Sequence, residues 1–249
     1  ARVRTTSSKS LDLAIRNTIP VAEYEGEAEQ GTDSTSTYQK ENVVPFRQTF
    51  TTPITMDMLM DSAFDMESEI VSDSAEAFAF GEGKNFVLGT GIKTPAGFMV
   101  DAGLQASART TTTSATLDIE DVIRLTGDLK VGYNPVYVFN RRTLAELRTY
   151  QSSAGGFLWQ PGLDGGAASS INGFPYVIAN SMPDIAASAY CMAFGDFRRG
   201  YTIVDRTGFS VIRDEYSLKK KAIVEFTMNR WNTGQVTLPE AIKLLKVKA

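Results

Sequence analysis

Between Thr55 and Gly91 the sequence leaves little choice but one long helix. Apolar side chains fall at Met60, Phe64, Val71, Ala75 and Phe78, with Ala63, Ile70 and Ala77 flanking them. Steps of three, four and seven set such residues along one side of a helix. The opposite side carries Asp61, Asp65, Glu69, Asp73 and Glu76, while Glu67 and Glu82 fall nearer the apolar stripe. No Lys or Arg occurs between Gln48 and Gly83. Ser62, followed three residues later by Asp65, gives a capping-box-like start. Gly89 and Gly91 offer a stop, because glycine tolerates the left-handed conformation that ends helices. Gly81 and Gly83 each weaken the last turns by about 1 kcal/mol relative to Ala, which predicts a frayed or bent end. Twenty-odd helical residues within this stretch would span roughly 30–40 Å. A helix so long and so acidic is either a scaffold rod or one side of an interface.

The rest of the composition narrows the function classes. The chain has 249 residues, 43% of them hydrophobic, enough for one large core or two smaller ones. Its formal charge is −4, which argues against a dedicated nucleic-acid binder. No apolar run approaches the roughly 18 residues of a membrane-spanning helix, so a membrane is not an expected partner. No signal peptide is visible. The chain starts at Ala1 without Met, which points to a processed or trimmed product. The single cysteine, Cys191, forms no internal disulfide and suits a reducing cytosol. Histidine is absent, which removes the commonest general base, the Ser-His and Cys-His dyads and most catalytic zinc sites. An enzyme is not expected.

Along the chain, residues 1–20 hold Arg2, Arg4, Lys9 and Arg16 among Ser and Thr, with one apolar patch from Leu11 to Ile15. They read as a solvated tail, or as an arm that orders against a neighbouring subunit. Residues 21–54 read as a long hairpin. Its first leg starts at Val21, its tip runs from Glu29 to Thr37, and its return leg places Phe46, Gln48 and Phe50 at strand spacing. Pro45 makes that leg an edge strand. Five acids and no base lie from Glu23 to Asp33. A hairpin this poor in apolar residues needs a surface outside itself, and another chain is the expected one. Residues 105–116 read as an exposed low-complexity connector with a boundary near Thr111. Helices are expected over Leu117–Leu129 and Thr143–Arg148, and strands at Val136–Phe139, Phe174–Ile178, Ala189–Phe194, Ala222–Trp231 and Ala241–Val247. Tyr201–Asp205 and Phe209–Arg213 read as a hairpin turned at Arg206-Thr207-Gly208. The class is α+β.

Candidate chemistry is thin. Gly89-Thr-Gly-Ile-Lys-Thr fails as a phosphate loop, since Ile92 separates Gly91 from Lys93 and Pro95 opposes a helix start. It reads as a glycine-rich turn leaving a helix. Asp196 and Asp205 near strand ends are the only catalytic candidates and read as structural turn residues. Cys191 reads as a small buried hydrophobe. The acids of the long helix do not match a calcium loop, so no metal or cofactor is expected. Arg198-Arg199 and Lys219-Lys220-Lys221 are the basic patches. They suit either a neighbour's acids or nucleic-acid phosphates, and the acidic balance of the chain favours the first.

An ordered set of motifs carries a family resemblance. Asp61-Ser-Ala-Phe-Asp, Ala75-Glu-Ala-Phe-Ala-Phe-Gly-Glu-Gly and Gly89-Thr-Gly with Pro95-Ala-Gly come first. Asn140-Arg-Arg-Thr-Leu-Ala-Glu-Leu-Arg, Gly156-Phe-Leu-Trp-Gln-Pro, Ile171-Asn-Gly-Phe-Pro-Tyr and Met182-Pro follow. Gly195-Asp-Phe-Arg-Arg-Gly-Tyr-Thr-Ile-Val-Asp-Arg, Val211-Ile-Arg, Thr233-Gly-Gln-Val and Pro239-Glu-Ala-Ile-Lys close the chain. The set resembles the major capsid protein of tailed bacteriophages, the Hong Kong 97 family. The resemblance implies an HK-97-like fold with an N-terminal arm (1–20) and an extended hairpin loop (21–54). A peripheral domain with the spine helix (55–111), an axial domain (112–194) and return strands completing both (195–249) would follow. It implies pentamers and hexamers tiling an icosahedral shell around double-stranded DNA contacted without sequence preference. Portal and cement proteins are implied partners, and a virion assembled in the bacterial cytoplasm the implied location. Many members lose an N-terminal scaffolding segment to a protease. Some lock the shell with a Lys–Asn isopeptide bond assisted by a glutamate. Here the Asn position falls in Lys219–Lys221 and the Glu position near Met228, and Lys40 has no evident partner, so a shell held non-covalently is expected.

The subunit contacts expected are charge pairs. Glu23, Glu25, Glu27, Asp65, Glu69 and Asp73 would face Arg2, Arg4, Arg141, Arg142, Arg198, Arg199, Lys219, Lys220 and Lys221 of neighbours. The rival readings are an encapsulin-type nanocompartment shell, which shares the fold, and a small enzyme.

Overall fold

The computed structural model describes residues 1–16, 24, 38–61, 65–150 and 170–249. In chain order the elements are β1 (Arg2–Thr6), β2 (Leu11–Arg16), β3 (Tyr38–Val43), β4 (Phe46–Thr55), α1 (Met56–Asp61), α2 (Met66–Leu88), α3 (Ala102–Ala106), β5 (Arg109–Ser114), α4 (Ile119–Gly127), β6 (Val136–Phe139), α5 (Arg141–Thr149), β7 (Ser170–Ile171), β8 (Phe174–Ile178), β9 (Tyr190–Gly195), α6 (Phe197–Gly200), β10 (Tyr201–Asp214), β11 (Ile223–Val236) and β12 (Ile242–Lys248). One sheet runs β1-β10-β11-β4, a second β5-β12-β9-β6-β8-β7, and β2 pairs with β3 alone. The class is α+β, as the sequence implies.

The long helix forms, but its start and its buried face differ from expectation. Asp65 is itself the cap, accepting from the Ser68 amide at 3.3 Å, and α1 is a separate turn. The residues that reach the core are Ile70, Ser74, Phe78 and Val87. Val71 and Ala75 of the expected stripe are exposed, as is Met60 on α1. Small residues all around this helix give little contrast between faces, so packing sets its rotation. Ile70 and Phe78 enter a core with Ile54, Val224, Phe226 and Met228. The Ser74 hydroxyl donates to the Ile70 carbonyl at 2.5 Å, back along its own helix, and lies 2.6 Å from the Met228 sulfur.

The helix ends by close approach rather than by a left-handed glycine. Gly89 has φ −63° and ψ 144°. A Cβ on it would collide with the Pro95 and Asn85 carbonyls. The segment 89–99 folds back so that Gly97, Phe98 and Met99 amides donate to the Gly89, Phe86 and Val87 carbonyls at 2.8, 3.1 and 3.1 Å. Orphan carbonyls of the last turn are thereby satisfied. Gly91 does take a left-handed φ of +78° within that turn.

Three further expectations are corrected. Residues 201–214 are one strand, not a hairpin. Thr207, Gly208 and Phe209 form a bulge between the pairs Arg206↔Trp231 and Ser210↔Asn229, opposite Arg230 alone. A turn at Gly208 would have stripped half of the fourteen-residue β11 of its partner. The actual reversal follows Asp214, whose carboxylate accepts from the Tyr216 and Ser217 amides at 2.8 and 3.1 Å. Residues 109–114 are strand β5 rather than a connector. This strand is parallel to β12, and Thr111 is buried. Threonine is β-branched and favours strands, so composition alone misreads the run. The boundary expected at Thr111 thus falls inside a strand. Lastly, β2 supplies the leg opposite β3, from Leu11↔Val43 to Arg16↔Tyr38, ten residues before the expected Val21. Leu13 and Val43 anchor this ribbon on Val204 of the chain's own sheet. The expected first leg from Val21 and the tip lie, residue 24 apart, outside the described residues.

The return leg behaves as expected. Phe46, Gln48, Phe50, Thr52 and Ile54 share the inward side of β4, the edge strand. Around the six-stranded sheet, Val122 and Leu125 of α4 and Leu144 and Leu147 of α5 pack on Tyr137, Phe139, Met192, Phe194 and Leu245. Cys191 is fully buried there.

Candidate assembly surfaces

Arg2 and Arg4 alternate along β1 and so project to one side of the strand. This strand lies parallel to β10, with Arg2 opposite Thr202 and Arg4 opposite Val204. The first residues therefore rest on the chain's own sheet. The same register brings them to α6, where Asp196 is the cap. One Asp196 oxygen accepts from the Arg198 and Arg199 amides at 3.0 and 3.2 Å. The other receives the Asn134 amide at 3.4 Å and lies 3.8 Å from Arg199 Nε. The Arg199 guanidinium sits 5.5 Å from the centre of the Tyr133 ring. Arg2, Arg4, Arg198 and Arg199 line one depression of about 850 Å³, with Asn134, Thr202, Thr237 and Asp196 among its other walls. Proximity of residues 2–4 to residues 198–199 is a product of the fold that spacing in the sequence does not display.

The other expected contact residues are dispersed. Glu69 and Asp73 are exposed one turn apart on α2, and among the described residues neither is in an ion pair. Glu67 does pair, with Arg213, which also holds Glu215 at 2.8 Å. Arg141 and Arg142 open α5. Arg142 is held at 2.8 Å by Asp184, which also accepts from Asn140. Two cations at a helix start oppose the helix dipole, and Asp184 offsets them. Lys219, Lys220 and Lys221 form an exposed 3₁₀ turn between β10 and β11. Glu23, Glu25 and Glu27 lie outside the described residues.

The cross-link positions are accounted for differently. Lys40 pairs with Asp12 at 2.7 Å across the ribbon. Met228 is fully buried against α2. Of the two candidate acids, Asp196 is a helix cap and Asp205 faces Arg230 at 3.4 Å. Arg230 also reaches Glu82 at 3.0 Å and so joins α2 to both long strands. Burial raises the Glu82 carboxyl above its ordinary value, Arg230 pulls it back, and Asp205 adds to the rise. The sequence places Glu82 nearer the apolar stripe of the helix but shows no partner for it, and nothing local marks Arg230 as that partner. An acid on the buried side is the signal that a cation must meet it.

Burial pushes the Cys191 thiol up to about 12, which makes it inert. Among the described residues no group of His, Cys, Asp or Glu is arranged to hold a metal, and no helix is long and apolar enough to cross a membrane.

What this arrangement offers is surface charge around a folded scaffold. The phage capsid family matches residues 1–247. The capsid of a native GTA particle is 28% identical, with a TM-score of 0.87, covering all of this chain and 88% of its own. The capsid of an empty GTA particle is 30% identical, with a TM-score of 0.88 and the same coverage. The structure from Microbacterium phage Oxtober96 shares the fold at 14% identity and a TM-score of 0.74, covering 99% of this chain and 89% of its own. No curated protein matches the chain.

Proposed function

The chain belongs to the phage capsid family, and we propose that its copies form pentamers and hexamers that close around double-stranded DNA. It is a structural protein rather than an enzyme, a major capsid protein whose copies assemble into an icosahedral shell. The observation that carries this is the match over the whole chain to the GTA capsid at 30% identity and a TM-score of 0.88. A nanocompartment shell is not favoured, because family and neighbours are phage and GTA capsids.

In the reading we favour, the four-stranded sheet with α2 is the peripheral domain and the six-stranded sheet with α4 and α5 the axial one. Distinct cores beneath the two sheets support this division, with a third core of Val87, Ala193, Tyr201, Val236, Ile242 and Leu244 joining them. DNA is contacted without sequence preference, portal and cement proteins complete the particle, and assembly takes place in the bacterial cytoplasm. Subunits meet head to tail, so an acidic surface of one copy faces a basic surface of the next. Each exposed pair contributes only about 0–1 kcal/mol, but repetition across the lattice sets register. Among the described residues Glu69 and Asp73 on α2, and Arg2, Arg4 and Arg198 in the depression, have no ion-pair partner, which supports this reading.

The test is the triple substitution Glu23→Lys, Glu25→Lys, Glu27→Lys. Folded subunits that no longer assemble are expected by circular dichroism and electron microscopy. Normal particles would refute the charge-matching reading.

A further inference from the structure

We infer that the depression between β1 and α6 is a carboxylate socket, filled in the shell by the acidic stretch Glu23–Asp33 of a second copy of this chain. The inference rests on the shell reading above and adds to it a specific receptor.

Four arginines from two distant parts of the sequence line one recess. Asp196, the only carboxylate lining it among the described residues, is already engaged by three backbone amides and by Arg199. Among the described residues, Arg2, Arg4 and Arg198 have no ion-pair partner. Among the described residues, three arginines without an ion-pair partner thus line one recess, and an incoming anion would balance their charge. Guanidinium forks bind carboxylates in pairs of parallel hydrogen bonds, and Asn134, Thr202 and Thr237 in the walls add polar groups.

Two observations favour carboxylates of another copy over DNA phosphate. The chain is acidic overall, at −4, so its field does not draw DNA to it. Its own sequence also holds five acids without a base from Glu23 to Asp33. In a shell of identical copies every subunit brings one socket and one such stretch, so the numbers match without a further partner.

The test is the charge reversal Arg4→Glu with Arg198→Glu. Isolated subunits should keep the wild-type urea midpoint, and particle yield by sedimentation should fall by about tenfold or more. Adding Glu23→Lys, Glu25→Lys and Glu27→Lys to the reversed chain should restore particles. Normal yield from the reversal alone overturns the inference and leaves the shell reading intact. Loss that the compensating lysines do not restore overturns the assigned occupant. Normal particles that have lost nucleic-acid absorbance would assign the socket to DNA phosphate instead. A lowered urea midpoint in isolated subunits would mean that the chain's own acids fill it, which also overturns the proposal. Should the reversed chain fail to fold, Arg4→Gln with Arg198→Gln should raise the concentration needed for assembly about threefold. No rise would count against the socket. A wild-type chain that forms no particles overturns the shell reading and this inference with it.

Discussion

Gly83 and Gly89 show at the scale of single residues how space and conformation separate. Gly83 lies inside α2 with nothing within 4 Å of a Cβ. Gly89, six positions on, leaves no room for one beside the Pro95 carbonyl. Gly83→Ala should therefore stabilise the isolated subunit by about 0.5–1 kcal/mol. Gly89→Ala should destabilise it by about 1–3 kcal/mol, because a clash with backbone cannot be relieved by a rotamer. Urea midpoints of the two variants moving in the same direction would defeat this account. Ser74 teaches a related lesson, since its small hydroxyl is what lets α2 lie close to Met228.

At the scale of elements, α2 depends on a few anchors. Phe78 is 3% exposed within the core beneath the helix, whereas Phe80 is 70% exposed. Phe78→Ala should cost about 3–5 kcal/mol, and Phe80→Ser should leave the isolated subunit within about 0.5 kcal/mol of wild type. Equal midpoints for the two would show that the helix is held elsewhere. The helix itself was legible from its apolar spacing and its glycines, and so were β4, β6, β8, β9, β12, α4 and α5. What stayed hidden depended on partners far away in sequence. The rotation of α2 is chosen by β11. The strand character of Arg109–Ser114 is completed by β12. Gly208 looked like a turn because a bulge and a turn use the same residues, and only the length of β11 separates them. The candidate site followed the same rule. Each arginine was visible as a charge, while the meeting of Arg2 and Arg4 with Arg198 and Arg199 requires the parallel register of β1 on β10.

For the whole particle, a shell held without covalent locks is the expectation. Met228, near the position to which the resemblance assigns the glutamate of cross-linking members, is buried, and Lys40 pairs with Asp12 at the surface. Particles boiled in detergent should run as a single monomer band, and a ladder of oligomers would contradict this. Cys191 bears on the particle in another way. Each subunit carries one thiol, buried beside the Leu245 carbonyl and chemically silent near neutral pH. A cysteine introduced at a fully exposed position such as Val131 would then be the sole thiol open to maleimide coupling. Such a shell would be a labelling scaffold with a clean background, bearing one dye, drug or antigen per copy at a spacing fixed by the lattice.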